Sequence, residues 1–286
     1  MSFRGLALVL LALIFLSSCS SRQLGYRYAE NLVAWQLHQS ISLERQQRRE
    51  LRAELDRFLQ WHAETQMPAY YALLKQVQVD IENSRFSDEL LAQYSEQVMQ
   101  FWYDFRLELL PYAERFLADL SEEQQRNLLV SLQERLQEDD KPKRRSSKDP
   151  QQEQITQMED RVASAFGRLQ QSQKDYIQVW AEQHIDSEEL WREYQLAWLD
   201  SFTNVMMLPA GTEGRQDLLQ RLFLTPEEWR GENLITTLAH NEQVGTQLIL
   251  QLLSSIDVRQ QRHVIREIER LRRDLRGMMR QRDVAV

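Results

Sequence analysis

An all-α fold is predicted, a bundle of long amphipathic helices arranged in two halves, and three observations predict it. The 286 residues include only 8 Gly and 6 Pro, while the strong helix formers Leu, Gln, Glu and Arg recur throughout. Apolar residues return at three- and four-residue intervals, and no segment alternates apolar and polar residues as a half-buried strand would. Residues 138–154, with dense mixed charge and no aliphatic or aromatic side chain, divide the chain near its middle. The 35 basic and 43 acidic side chains give a net charge of −8, which offers no reason to expect a nucleic-acid partner.

The first element is a leader. Arg4 precedes an apolar run from Leu6 to Leu16 and then small residues, the layout of a secretory signal over residues 1–18. The run is about half the length that a membrane-spanning helix needs. Leu16-Ser17-Ser18-Cys19 resembles the bacterial lipobox. That resemblance implies cleavage between Ser18 and Cys19 and acylation of Cys19, palmitate included. It also implies a Gram-negative periplasmic location, with Ser20 rather than Asp in the next position favouring the outer membrane. Cys19 is the only cysteine, so a thioether there leaves no thiol for a disulfide, a metal or nucleophilic catalysis. Removing 18 of 286 residues leaves 268, and loss of Arg4 takes the net charge from −8 to −9.

Residues 19–26 read as a lipidated polar tether. The N-terminal half, 27–137, opens with a helix over 27–39 in which Leu32, Trp35 and Leu37 are partly buried. A second helix starts near Glu44, with Leu51, Leu55, Phe58 and Leu59 on one face. Pro68 can open a third, where its missing N–H costs nothing. Ser87 has the chemistry of an N-cap for a long helix carrying Leu91, Tyr94, Val98, Phe101, Trp102, Phe105 and Leu109, which Pro111 should kink or end. Residues 138–154 bury too little apolar surface to offset their ordering entropy and read as a disordered linker. In the C-terminal half, 155–286, Ile155, Met158, Val162, Ala165, Leu169, Ser172, Tyr176 and Val179 keep a heptad rhythm, which predicts one long helix packed in coiled-coil fashion. Another helix carries Leu190, Trp191, Tyr194, Leu196, Trp198 and Phe202 and stops before the loop at Pro209-Ala-Gly-Thr-Glu-Gly214. Two more follow, over 225–253 and 257–280.

Four helix starts share one pattern: an apolar residue, a capping residue, two intervening residues, then Gln or Glu. They begin at Leu43-Glu44, Leu120-Ser121, Leu224-Thr225 and Ile256-Asp257, and each reads as a capping box preceded by a hydrophobic staple. Leu51 and Leu55, Leu128 and Leu132, and Val264 and Ile268 follow seven and eleven residues past three of the caps. The Thr225 copy instead has Glu232. The repeats suggest a duplicated supersecondary unit around the linker. They also resemble the LTxxQ motif of the Spy and CpxP envelope-stress proteins, small dimeric helical cradles, of which Spy is an ATP-independent chaperone. Over the whole chain, the aromatic first helix, Ser42-Leu43-Glu44-Arg45-Gln46 and Phe58-Leu59-Gln60-Trp61-His62 resemble an uncharacterised family of gammaproteobacterial lipoproteins. That resemblance implies location and fold, with no assigned activity.

No catalytic set emerges. His38, His62, His184, His240 and His263 are isolated and lack metal-ligand spacing, and no cofactor motif occurs. His62 reads as a cation at a helix C-terminus, and Glu122–Glu123 and Glu227–Glu228 as first-turn acids complementing helix dipoles. Between Arg259 and Arg282 lie nine arginines against Glu267, Glu269 and Asp274. This places a basic stripe, with Arg266, Arg270 and Arg273 at its centre, opposite Val264, Ile265, Ile268, Leu271 and Leu275. Trp191, Tyr194 and Trp198 are the aromatic counterpart, candidates to line a client or partner groove. The expectation is a non-enzymatic outer-membrane lipoprotein that binds unfolded or envelope proteins in a chaperone-like manner. The alternative is a structural or adaptor lipoprotein bound to one specific envelope partner.

Overall fold

The computed structural model describes residues 19–139, 149–209 and 211–285, and every regular element among them is helical. The predicted leader with Ser18, and most of the predicted linker, lie outside the described residues. Helices α1 (Cys19–Arg27) and α2 (Ala29–Ile41) lead to α3 (Arg45–Trp61), which passes through a π-turn (His62–Gln66) into α4 (Met67–Glu82). Next come α5 (Asp88–Ala118) and α6 (Glu122–Asp139), then α7 (Pro150–Phe166), α8 (Gln171–Gln183), α9 (Glu188–Met207) and α10 (Glu213–Leu224). A 3-10 turn (Pro226–Trp229) precedes α11 (Glu232–Ser254) and α12 (Val258–Arg280).

Several expected elements are corrected. Residues 19–26 are helix α1 rather than a tether, and Leu32 and Trp35 are exposed rather than partly buried. Pro111 does not end α5: it sits on the exposed side, where water can serve the carbonyl its ring leaves without a donor. The expected linker is helical at both ends, up to Asp139 and again from Pro150, where the Asp149 carboxylate accepts the Gln151 N–H at 3.2 Å. The heptad run does not form one helix. Gly167 adopts φ +82°, a left-handed conformation that ends α7, and α8 starts three residues after Arg168. The helix expected over 225–253 opens instead as a 3-10 turn, and a further helix, α10, precedes it.

The capping motif accounts for the architecture. In α3, α6, α8 and α12 the third residue is a glutamine, Gln47, Gln124, Gln173 and Gln260, whose Oε1 accepts the N–H of the cap, Glu44, Ser121, Gln170 and Asp257, at 2.9–3.2 Å. The Thr225 copy has no α-helix behind it. Its place is taken by Leu169-Gln170-Gln171-Ser172-Gln173, which was hidden inside the heptad run. Ile177 and Ala181, both buried, lie seven and eleven residues past Gln170.

The four starts meet in two pairs. Gln47 and Gln124 exchange amide hydrogen bonds at 3.0 and 2.7 Å, and Gln173 and Gln260 do so at 3.0 and 2.8 Å. The second N–H of each amide also crosses over. Gln47 donates to the Asp119 carbonyl, Gln124 to that of Ser42, Gln260 to that of Arg168, and Gln173 to the Ser255 hydroxyl. Each pair therefore ties two helical hairpins together at their turns. In the first module α2 packs on α6 and α3 on α5. In the second, α7 packs on α12 and α8 on α11 in the same order. The duplicated unit is thus a pair of helical hairpins.

The halves interlock. Leu199, Phe202, Val205 and Met206 of α9 and Leu219 and Leu222 of α10 fill the core built by Ala34, Ile41, Leu43, Leu51, Leu117, Leu120 and Leu128. In exchange, α4 lies along α12, where Ile81 meets Val264 and Ile268, and Ala63 and Met67 meet Met279. Gln261 donates to the Ile81 carbonyl at 2.7 Å, and Arg272 donates to Gln78 and to the Tyr71 hydroxyl, each at 2.8 Å.

Gln173 is completely buried, whereas Gln47 is half-buried. Gln173→Ala strands a buried partner amide and should destabilise the protein by about 1–3 kcal/mol, with Gln47→Ala at the lower end of that range. Urea midpoints at constant slope measure both, and a cycle with Gln260→Ala should show strong coupling to Gln173.

Candidate functional site

Helix α12 has two faces of opposite character. Val264, Ile268, Leu271 and Met279 are buried, and so is Asp274, whose carboxylate accepts from Gln23 at 3.1 Å. On the other side Arg259, Arg262, Arg266, Arg270, Arg273, Arg276 and Arg280 are all exposed. Their three- and four-residue spacing keeps them in one row along the helix, about 32 Å long at 1.5 Å per residue. Arg266, Arg270 and Arg273 lie in the middle of this row. Two arginines leave the row. Arg272 sits over the Tyr71 ring at 4.4 Å, and Arg282 joins Asp56 and Glu30 at the end of the bundle. Glu267, partly buried, pairs with Arg270, and Glu269 is the exposed acid within the helix.

At its N-terminal end the row borders a cleft of about 960 Å³ between the α7–α8 turn and the start of α12. Arg168, Lys174, Arg259, His263 and Arg266 line it, against Glu159, Asp160 and Asp257. Lys174 is held by Glu159 at 2.9 Å, and the Asp257 carboxylate caps α12 through the N–H groups of Arg259 and Gln260, both at 2.8 Å. His263 lies against the turn, 3.5 Å from where a Cβ on Gly167 would stand. The surplus is cationic. Such a wall can attract carboxylates or phosphates.

The aromatic candidates fall elsewhere. Trp198 stacks on Phe202, and its Nε1 donates to the Leu222 carbonyl at 3.1 Å, so it belongs to the first core. Trp191 and Tyr194 meet edge to face at 5.3 Å, half-buried, with the Arg230 guanidinium 5.8 and 6.0 Å from their rings. Arg106, itself buried, lies 3.8 Å from Glu227 in the same region. Burial pulls the pKa of both guanidinium groups down. The Glu227 carboxylate works against that shift.

His62 is corrected in role. The π-turn carries α3 on into α4, so His62 stands at no helix end, and its ring lies among Tyr70 (5.6 Å), Tyr26 (6.0 Å) and Phe105 (6.1 Å). Burial pushes its pKa down to about 4, and the ring is neutral at pH 7. The buried Asp80 is the opposite case. Burial alone would raise it, but hydrogen bonds from Tyr94, Gln76 and Arg85, with the Arg85 charge, hold it below its usual value.

Fold and surface together define a class: an all-α bundle with a segregated cationic helix face. Among the described residues no group of side chains is arranged to hold a metal ion, and no helix is long and apolar enough to cross a membrane. The chain belongs to a family of unknown function, DUF6279, which it matches over residues 39–233. No curated protein and no solved structure matches the chain. The matched span takes in α3 to α10 and ends as α11 begins, so the arginine row of α12 and helix α1 lie outside it.

The His62 ring resists protonation in the native state, whereas in the unfolded chain it takes a proton near its ordinary 6.5. The unfolded state therefore binds the extra proton, and stability is lost as pH falls from 6.5 toward 4, by up to about 3 kcal/mol at 1.36 kcal/mol per unit. His62→Gln should flatten this part of the stability profile in urea titrations at pH 7, 5.5 and 4.5. A parallel profile would show that the ring titrates normally in the fold.

Proposed function

We propose that this protein is a lipoprotein held by Cys19 at the periplasmic face of the outer membrane, and that it acts by binding rather than by catalysis. Its docking surface is the arginine face of α12, and its partner is one acidic envelope component. The observation that carries this reading is the row of seven exposed arginines in a chain whose net charge is −8. Charge so segregated creates a local field opposite to that of the rest of the molecule and steers anionic surfaces to one face. Packing of α12 on α4, α7 and α1 makes that face rigid. A fixed backbone suits a fixed partner, because binding then has only the arginine side chains left to order.

A chaperone-like holder draws less support. Promiscuous binding of unfolded chains needs a broad exposed apolar patch. Of the aromatic candidates for one, Trp198 is packed into the first core, and Trp191 and Tyr194 are half-buried against each other and Arg230.

Charge reversal at Arg266, Arg270 and Arg273 to Glu should leave the fold intact, since all three side chains are exposed. Photocrosslinking from Arg262 in intact envelopes should capture one stoichiometric partner, and the triple reversal should abolish capture. Added salt should weaken the purified complex. Capture that survives the reversal would rule out the arginine face. Suppression of aggregation of two unrelated unfolded clients, unaffected by the reversal, would favour the holder. Cys19→Ser should release the protein from the membrane fraction; continued processing and lipid association would end the anchor reading.

A further inference from the structure

Helices α1 and α2 form an almost continuous rod: the Tyr28 N–H bonds the Leu24 carbonyl at 3.2 Å, and the Leu32 N–H bonds the Tyr28 carbonyl at 2.9 Å. One side of this rod is docked. Gln23 donates to the buried Asp274, Tyr26 donates its hydroxyl proton to the Leu59 carbonyl at 2.8 Å, and Ala34 and Ile41 enter the first core. A Cβ at Gly277 would stand 2.7 Å from the end of the Gln23 side chain, so the glycine leaves room for the Gln23 amide beside Asp274.

The other side is apolar and wet. Leu24 is 55% exposed, Tyr28 49%, Leu32 54% and Trp35 61%. At 100° per residue these four positions lie within about an 80° arc, a single stripe about 16 Å long. The charges beside it are sorted. Between residues 24 and 39 the one carboxylate, Glu30, is turned inward 3.6 Å from Arg282, and the one exposed charge is Arg27. Off the rod, the exposed Asp56 shares Arg282 with Glu30, so it is the stripe's own helices that carry no exposed acid there.

We infer that this stripe is a membrane-seating face: Leu24, Tyr28, Leu32 and Trp35 insert into the interfacial layer of the bilayer in which the anchor is embedded. The inference rests on the reading of Cys19 as the acylated residue. Cys19 opens α1, so the anchor enters the bilayer about 8 Å along the axis from Leu24 and about 24 Å from Trp35. The anchor is thus within about 24 Å along the axis of every residue of the stripe, and tethering raises the effective concentration of the stripe at the membrane. Leucines flanked by Trp and Tyr, whose rings carry one polar edge, suit the boundary between headgroups and acyl chains. The neighbouring cation suits anionic headgroups. The rest of the protein is thereby oriented as well as anchored.

The test uses full-length protein extracted from membranes and reconstituted in phosphatidylethanolamine–phosphatidylglycerol vesicles, with and without bromine on the acyl chains. Mass spectrometry of the N-terminal peptide reports acylation of Cys19 separately. Brominated lipid should quench the emission that Trp35 contributes, read as the difference between wild type and Trp35→Phe. The Leu24→Asp/Leu32→Asp variant should lose that quenching while keeping its helicity and urea midpoint. An acylated protein whose Trp35 emission is indifferent to bromine overturns this inference and leaves the anchor standing. An unacylated Cys19 overturns both. Loss of a dimer in Leu32→Asp, with Trp35 unquenched in wild type, would make the stripe a contact between copies and overturn the inference too.

Discussion

The two reciprocal glutamine pairs are the constraint on which the architecture depends. A primary amide carries two donors and an acceptor with two lone pairs, so two facing amides can serve each other and still reach a backbone group each. Gln47 with Gln124 and Gln173 with Gln260 use that capacity to cap two helices and to cross-link two turns. A carboxylate in either position would have no N–H to give back. A methionine of similar length would leave the cap N–H groups and loop carbonyls unsatisfied in a dry place, which costs more than a mean hydrogen bond gains. The motif's chemistry is therefore satisfied inside the fold, and the surface that acts on other molecules has to be sought elsewhere.

Interlocking of the halves decides which surfaces those are. The connection in the first half, α4, lies on the second module, and α9 and α10, the connection in the second half, fill the first. As a result α12 is clamped by α1, α4 and α7, with its apolar face and Asp274 satisfied, and seven of its arginines lie on the exposed side. The same clamp holds α1 and leaves one side of the α1–α2 rod uncovered. A cationic row and an acid-free apolar stripe thus arise from a single packing arrangement. The match to the family over residues 39–233 covers most of the glutamine-paired frame and stops short of the arginine row.

Much of the fold was legible in the residues. Glu44, Ser87, Ser121 and Asp257 marked real helix starts, because a capping side chain acts on N–H groups two or three residues away and needs no tertiary partner. The two faces of α12 were legible too, since a strongly amphipathic 3.6-residue pattern leaves one choice of buried side. The start at Gln170 is not legible in the residues, because its cap is a glutamine, common inside helices, and the apolar rhythm continues unbroken across it. What breaks α7 is the positive φ at Gly167 together with the Gln260 amide that waits across the turn.

By itself the sequence determined the all-α class, the main capping sites and the basic side of the last helix, all properties set by local hydrogen bonding and periodicity. Only the tertiary structure decided that the glutamines meet in pairs, that Trp198 is core, and that Leu32 and Trp35 stay wet. The reason is the same in each case. Periodicity assigns a residue to a face, but whether that face is dry depends on which distant helix arrives there. Here α9 arrives over Trp198, and no described helix covers the stripe from Leu24 to Trp35.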